Sequence, residues 1–156
     1  MFDLTNKIAL ITGASGGIGM SIVKKMKQCG AKLIISGTRQ NILNDLATEL
    51  GNDVKTIITD LNNKDDVLNL AKEAEASFGH IDILINNAGI TADNLFLRMK
   101  DDEWDKVINV SLSAPMRLTR QVIRGMLKRR YGRVIFISSV VGYSGNAGQS
   151  NYAASK

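Results

Sequence analysis

The sequence predicts an α/β fold, with a parallel sheet covered by helices on both faces. Two observations carry that expectation. Short β-rich apolar runs alternate with longer helical patterns, and a glycine-rich turn joins the first run to the first helix. The runs are Ile8-Ala9-Leu10-Ile11, Lys32-Leu33-Ile34-Ile35, Val54-Lys55-Thr56-Ile57-Ile58, Ile83-Leu84-Ile85 and Val134-Ile135-Phe136-Ile137. Each is apolar enough to be a buried strand, as the strands of a parallel sheet covered on both faces must be.

Helical spacing of apolar residues predicts helices over Ile18 to Gln28, Asn41 to Leu50, Lys64 to Phe78 and Asp102 to Arg130. Gly30, Gly51 and Gly79 fall where the first three should stop, the place for a residue with positive φ. Pro115 lies inside the last helix; it has no N–H for the carbonyl four residues back, so a bend is expected near Ser111, just after Asn109. No repeat, low-complexity stretch or linker divides the chain, so residues 1–156 read as a single domain.

Composition bounds the function. The chain of 156 residues is 44% hydrophobic and 22% charged, ordinary for a globular domain. Its one cysteine, Cys29, has no partner for an intramolecular disulfide and no metal-ligand spacing around it, which fits a reducing cytoplasm. The lone histidine, His80, reads as a turn residue with no partner to make it a ligand or a base, so no metal site is expected. No apolar run has the length of a membrane span. The net charge of +5 permits an acidic partner, and the densest basic run is Lys128-Arg129-Arg130-Tyr131-Gly132-Arg133. That run suits the negative end of a helix dipole as well as it suits a docking patch. It has no interleaved aromatics beyond Tyr131, which argues against nucleic acid.

The motifs sit at the strand ends. Thr12-Gly13-Ala14-Ser15-Gly16-Gly17-Ile18-Gly19 opens the first helix, where glycines let backbone approach a diphosphate and the unpaired N–H groups favour its charge. A strand before it and a helix after it turn a weak signal toward a dinucleotide. After the second strand, Ser36-Gly37-Thr38-Arg39 carries no carboxylate for a ribose 2′-hydroxyl. Arg39 is either a 2′-phosphate partner, favouring NADP, or an exposed loop residue. Asp60-Leu61 follows the third strand as an adenine contact or a turn, and Asn86-Asn87-Ala88-Gly89 follows the fourth. Ser138-Ser139 ends the fifth, where a serine can present its hydroxyl to a carbonyl oxygen. Tyr152 and Lys156 close the chain four positions apart, sharing one face of a helix, and a cation so placed favours the ionised form of a phenol.

The combination of Thr-Gly-x-x-x-Gly-x-Gly at 12 to 19, Asn-Asn-Ala-Gly at 86 to 89, Asn109, Ser139 and Tyr-x-x-x-Lys at 152 to 156 resembles the short-chain dehydrogenase/reductase family. The resemblance implies a Rossmann-type doubly wound sheet and a longer relative, continuing for roughly ~90 residues with further strands, so the domain reads as C-terminally incomplete. It implies a catalytic set of Asn109, Ser139, Tyr152 and Lys156, with Tyr152 protonating a carbonyl oxygen held by Ser139. Lys156 would bind the nicotinamide ribose, and Asn109 would hold a water at the helix bend. NADP(H) contacts carry over to Gly13, Ser15, Gly16, Gly17, Ile18 and Gly19, to Thr38 and Arg39, to Asp60 and Leu61, and to Asn87, Ala88 and Gly89, with Tyr152 and Lys156 at the reactive end. Many NADP-dependent members carry arginine where Gly16 stands, so selectivity here rests on Arg39.

Within the family, the segments Ala88 to Thr91, Asp93 to Leu95, Arg98 to Asp101 and Ser139 to Gly142 resemble members that reduce 3-oxoacyl groups on acyl carrier protein in fatty-acid synthesis. That likeness implies carrier docking at Arg130, a homotetramer and a cytoplasmic location. The alternatives are reduction of another small carbonyl compound and a non-catalytic dinucleotide-binding protein.

Overall fold

Five parallel strands stand in the order β3-β2-β1-β4-β5 in a computed structural model that describes residues 2–156. The strands are β1 (Ile8–Ile11), β2 (Lys32–Gly37), β3 (Val54–Ile58), β4 (Ile83–Asn86) and β5 (Arg133–Phe136). Helices α1 (Gly17–Gln28), α2 (Gln40–Leu50) and α3 (Lys64–Phe78) connect the first four. A 3₁₀ turn (Phe96–Arg98), α4 (Asp101–Ile108), a π-helical turn (Asn109–Ser113) and α5 (Ala114–Arg129) lead to β5. Two short helices follow, α6 (Val141–Ser144) and α7 (Ser150–Ser155).

Alternation along the strands builds two cores. Leu10, Ile34 and Leu84 point to the face covered by Val67, Leu70 and Ala74 of α3 and Leu118, Val122 and Met126 of α5. Ala9, Ile11, Leu33, Ile35, Ile83 and Ile85 point to the opposite face, against Val23 of α1 and Leu43 and Leu46 of α2. Successive strand residues therefore belong to different cores, as the period of two requires, and the sheet is doubly wound. β1 lies at its centre, with Ala9 opposite Leu33 on one side and Ile83 on the other.

Three expectations are corrected. The fifth strand is not buried: it runs Arg133–Phe136, one residue earlier than expected, and pairs with β4 alone. Its Ile135 and Phe136 are 44% and 56% exposed. The helix expected over Asp102 to Arg130 is two helices joined by the π-helical turn, in which the Ala114 N–H reaches the Asn109 carbonyl. Pro115, near the start of α5, has no N–H to continue either register, so the bend foreseen near Ser111 takes this form. Finally, His80 has a partner: its Nε2 lies 3.2 Å from Asp82 Oδ2.

That pair belongs to the N-terminal edge of the sheet. Asp82 is 5% exposed and accepts the Ile8 N–H at 3.1 Å. Arg129 stands 4.0 Å from the other carboxylate oxygen and donates to the Ile81 carbonyl at 2.6 Å. At the same edge the Tyr131 ring packs against two cations, with Lys7 Nζ 4.0 Å and Arg133 Cζ 5.3 Å from its centroid. This edge carries the joints of the scaffold, and it leaves the other edge free for the site.

Candidate functional site

The segments that follow the C-terminal ends of β1 to β5 all line one cleft of about 730 Å³. An open parallel sheet binds ligands in this place, at the point where strand order reverses around its centre. The turn after β1 is held from beneath. Thr12 Oγ1 accepts the N–H groups of Asn87 and Ala88, both at 3.2 Å, while Asn87 Nδ2 donates to the carbonyls of Thr12 and Gly13 at 3.0 and 3.2 Å. Two glycines are required by this closeness. Gly13 has φ +65°, and a Cβ on it would sit 2.8 Å from Ala88 Cα; a Cβ on Gly19 would sit 2.2 Å from the Gly13 carbonyl.

The start of α1 fits an anion. Gly16 caps the helix without a side-chain hydrogen bond. A Cβ on Gly17 would meet nothing within 4 Å, so the cradle above the helix end is open to the cleft. Beside it Arg39 folds over the loop, donating through Nη2 to the Ser15 carbonyl at 2.7 Å and through Nε to Ser15 Oγ at 3.3 Å. These two bonds aim the guanidinium and leave further N–H groups for a second anionic group. Thr38 lines the same wall. Asp60 does so too, one of its oxygens taking the Asn62 N–H at 2.8 Å, so its turn and cleft roles coexist. Leu61, Ile90 and Val110 supply apolar lining for a flat ring, with Lys106 at the same wall. The glycine loop, an aimed arginine and an apolar slot together fit a nicotinamide dinucleotide.

Tyr152 of α7 and Lys156, the residue that follows the helix, both line the cleft, with Lys156 Nζ 5.8 Å from the centre of the Tyr152 ring. The amine donates to the Ile137 carbonyl at 2.7 Å, and burial pushes its pKa below the ordinary lysine value. Gly142 makes this approach possible, because a Cβ there would lie 2.5 Å from the Lys156 carbonyl carbon. Ser138, whose Oγ donates to the Lys156 carbonyl at 2.9 Å, lines the cleft; Ser139 is not part of that wall. Ser139 Oγ accepts the Val141 N–H at 3.2 Å and keeps its own proton to donate.

Asn109 is corrected. Its amide donates to the Asn62 carbonyl at 2.8 Å and to Asn62 Oδ1 at 3.0 Å, and its Oδ1 accepts from Arg117 at 2.7 Å. Asn109 itself does not line the cleft; its side chain ties the π-helical turn to Asn62, a residue of the cleft wall in the loop after β3, and to Arg117 of α5. Val110 is the residue of that turn that lines the cleft, and its neighbour Ser111 accepts the Ile90 N–H through Oγ. A carboxamide preceding an expected bend carried no signal of which way the turn would face it.

Arg130, expected at a docking surface, caps α5 in the left-handed region with φ +53°. It precedes β5 and so stands at the N-terminal edge of the sheet, away from the cleft. Thr12, Asn62, Lys106 and Ser138 were missed as single site residues. Only Thr12 and Ser138 lay inside motifs that could have pointed to them. Among the described residues no group of three or more histidines, cysteines or carboxylates is placed to hold a metal.

The family model for short chain dehydrogenase matches residues 7–156. The chain is 52% identical over 156 residues to nodulation protein G of Rhizobium sp. (strain N33) and 50% identical to that of Rhizobium meliloti (strain 1021). All of this chain and 64% of each relative are covered. Over 150 residues it is 47% identical to the 3-oxoacyl-[acyl-carrier-protein] reductase of Salmonella typhimurium, covering 96% of this chain and 62% of that protein. The chain therefore spans a little under two thirds of the length of these curated relatives. A family match that runs from the residue before β1 to the lysine in the cleft joins the glycine turn and the Tyr152 helix in one pattern, and the chain belongs to the short-chain dehydrogenase family.

Proposed function

We propose that the protein reduces the 3-oxo group of an acyl chain carried on acyl carrier protein, taking hydride from NADPH. The observation that carries this reading is the meeting, in one cleft, of the phosphate cradle at α1, the aimed Arg39 and the Tyr152–Lys156 pair. Bound NADPH supplies the hydride. The chain's own groups do the rest: Tyr152 gives a proton to the carbonyl oxygen, Ser139 steadies that oxygen with its free O–H, and Lys156 holds the nicotinamide ribose. Gly13, Ser15, Gly16, Gly17, Ile18 and Gly19 would bind the diphosphate and Thr38 and Arg39 the adenosine end. Asp60 and Leu61 would flank adenine, and Asn87, Ala88 and Gly89 the central region.

The name of the Salmonella relative supports this substrate. The higher identity to nodulation protein G, a name that specifies no substrate, keeps a second reading beside it, another small carbonyl compound. Steady-state turnover of acetoacetyl thioesters against free short-chain ketones separates the two. Tyr152→Phe should lower kcat by roughly 10²–10⁴ with NADPH affinity almost unchanged, because it removes only the donor. Near-normal turnover by that variant would place the acid elsewhere.

Arg130 is the proposed carrier contact. Reversing its charge should raise KM for the carrier-bound substrate and leave a small thioester unaffected, with equal effects on both ruling docking out. An exposed stripe at helical spacing on the π-turn and α5, Leu112, Met116, Ile123 and Leu127, supports assembly of several copies through this helix.

A further inference from the structure

Helices α3 and α5 pack side by side on one face of the sheet, and a groove of about 400 Å³ runs between them. It shares no lining residue with the cleft. Helix α3 contributes Leu68, Ala71, Lys72 and Glu75, and α5 contributes Gln121, Arg124, Gly125 and Lys128. Each set follows the same spacing, which gathers it on a single helix face. On α5 that face is not the exposed apolar stripe. Arg124 and Lys128 each stand one residue, and so about 100° of rotation, beyond Ile123 and Leu127.

Gly125 keeps the groove open. It lies inside α5 with no positive φ, at a place where glycine is one of the poorest helix formers. Neither backbone nor core forbids a side chain there: a Cβ would meet only the ends of two flexible side chains, Glu75 Oε1 and Arg129 Nη1, both at 3.1 Å. A longer side chain at 125 would occupy the groove itself.

The walls carry unspent charge. The ion pairs among the described residues are Lys24–Glu49, Lys27–Asp53, His80–Asp82 and Arg129–Asp82, so Lys72, Arg124 and Lys128 have no carboxylate partner. Against these three cations the lining sets one carboxylate, Glu75, which leaves an excess that a dianion matches. A phosphate monoester carries about two negative charges above its second pKa near ~6. The planar guanidinium of Arg124 can take two of its oxygens, and the two lysines act as point charges. Leu68 and Ala71 offer apolar surface to the carbon part, and the volume is that of a small-molecule site.

We propose that the groove between α3 and α5 binds a small phosphate monoester, its phosphate held by Lys72, Arg124 and Lys128 and its apolar part laid on Leu68 and Ala71.

The test uses phenyl phosphate as the probe, with acetylation of each lysine of the full chain measured by mass spectrometry near pH 8. Phenyl phosphate should lower the labelling of Lys72 and Lys128 several-fold and saturably, with the surface residues Lys24 and Lys55 unchanged. Benzoate, with the same ring and a single negative charge, should need roughly tenfold more for the same protection. Gly125→Leu, which fills the groove and suits the helix better, should abolish the protection while the thermal transition stays cooperative. If that variant does not fold, Arg124→Gln, at an exposed position, is read by the same criterion. Absence of saturable protection at Lys72 and Lys128, equal protection by benzoate, or protection undiminished in a folded variant would overturn the site.

Discussion

Lys156 is asked to be a cation in a place that partly withdraws water from it. Its pKa is lowered by burial, so the fold favours the neutral amine relative to the unfolded chain, where a lysine titrates near ~10.4. The sign follows. Below the folded pKa the protonated amine costs stability, and the cost disappears as pH rises through the folded pKa toward the unfolded value. If the cation is needed for cofactor binding, activity should fall on the alkaline side at a lower pH than ordinary lysine titration would give. Lys156→Arg, which stays charged, should remove that limb from the pH profile of kcat/KM, whatever it does to the absolute rate. At the far end of the cleft, Arg39→Ala should cancel a preference for NADPH over NADH worth on the order of 1.5–3 kcal/mol. Parallel titrations with the two cofactors measure it, and equal binding by the unaltered protein would refute the assignment. These residues were legible in the sequence because each sits in a short local motif whose geometry travels with it. Asn109 was placed in the site for the opposite reason: which residue of the bend faces the cleft depends on one π-helical register, and periodicity does not encode it.

Elements were legible where their boundaries are chemical. Asn63 ends the loop before α3, and its Oδ1 accepts the N–H groups of Asp65 and Asp66 at 2.8 and 3.3 Å. Gly79 closes the same helix in the left-handed region, with φ +88°. Cap and stop gave that helix the bounds expected from sequence. Asn63→Ala should therefore cost about 0.5–2 kcal/mol, read as a lower midpoint in urea with unchanged slope. A larger loss would mean that Asn63 also supports the Asn62 loop on which Asn109 rests. The open edge of β5 was legible only through the family resemblance, which implies further strands, since a strand's apolar run is the same whether it lies inside a sheet or at its edge. In the structure the pairing with β4 alone reveals it.

At the scale of the molecule, the two edges of the sheet carry different loads. The C-terminal edge holds the cleft, and the N-terminal edge holds the Asp82 joint and the Lys7–Tyr131–Arg133 cluster. The sequence puts Arg130 near the end of a helical pattern, but the edge of the sheet that carries it could be known only from the topology. β5 with its exposed Ile135 and Phe136 also predicts a behaviour. A polypeptide of residues 1–156 alone should self-associate through this edge, because its outer N–H and C=O groups are unpaired beside apolar side chains. Light scattering against concentration measures this, and a well-behaved monomer at high concentration would contradict it.

The central position of β1 has a consequence for biosynthesis. Its first neighbour, β2, follows within one helix, but its second, β4, begins only at Ile83. A ribosome adding about 5–20 residues per second needs roughly 4–14 s to cover that interval. For that time the most apolar strand of the sheet has one open side, and the first place a nascent chain can mispair is its own future centre.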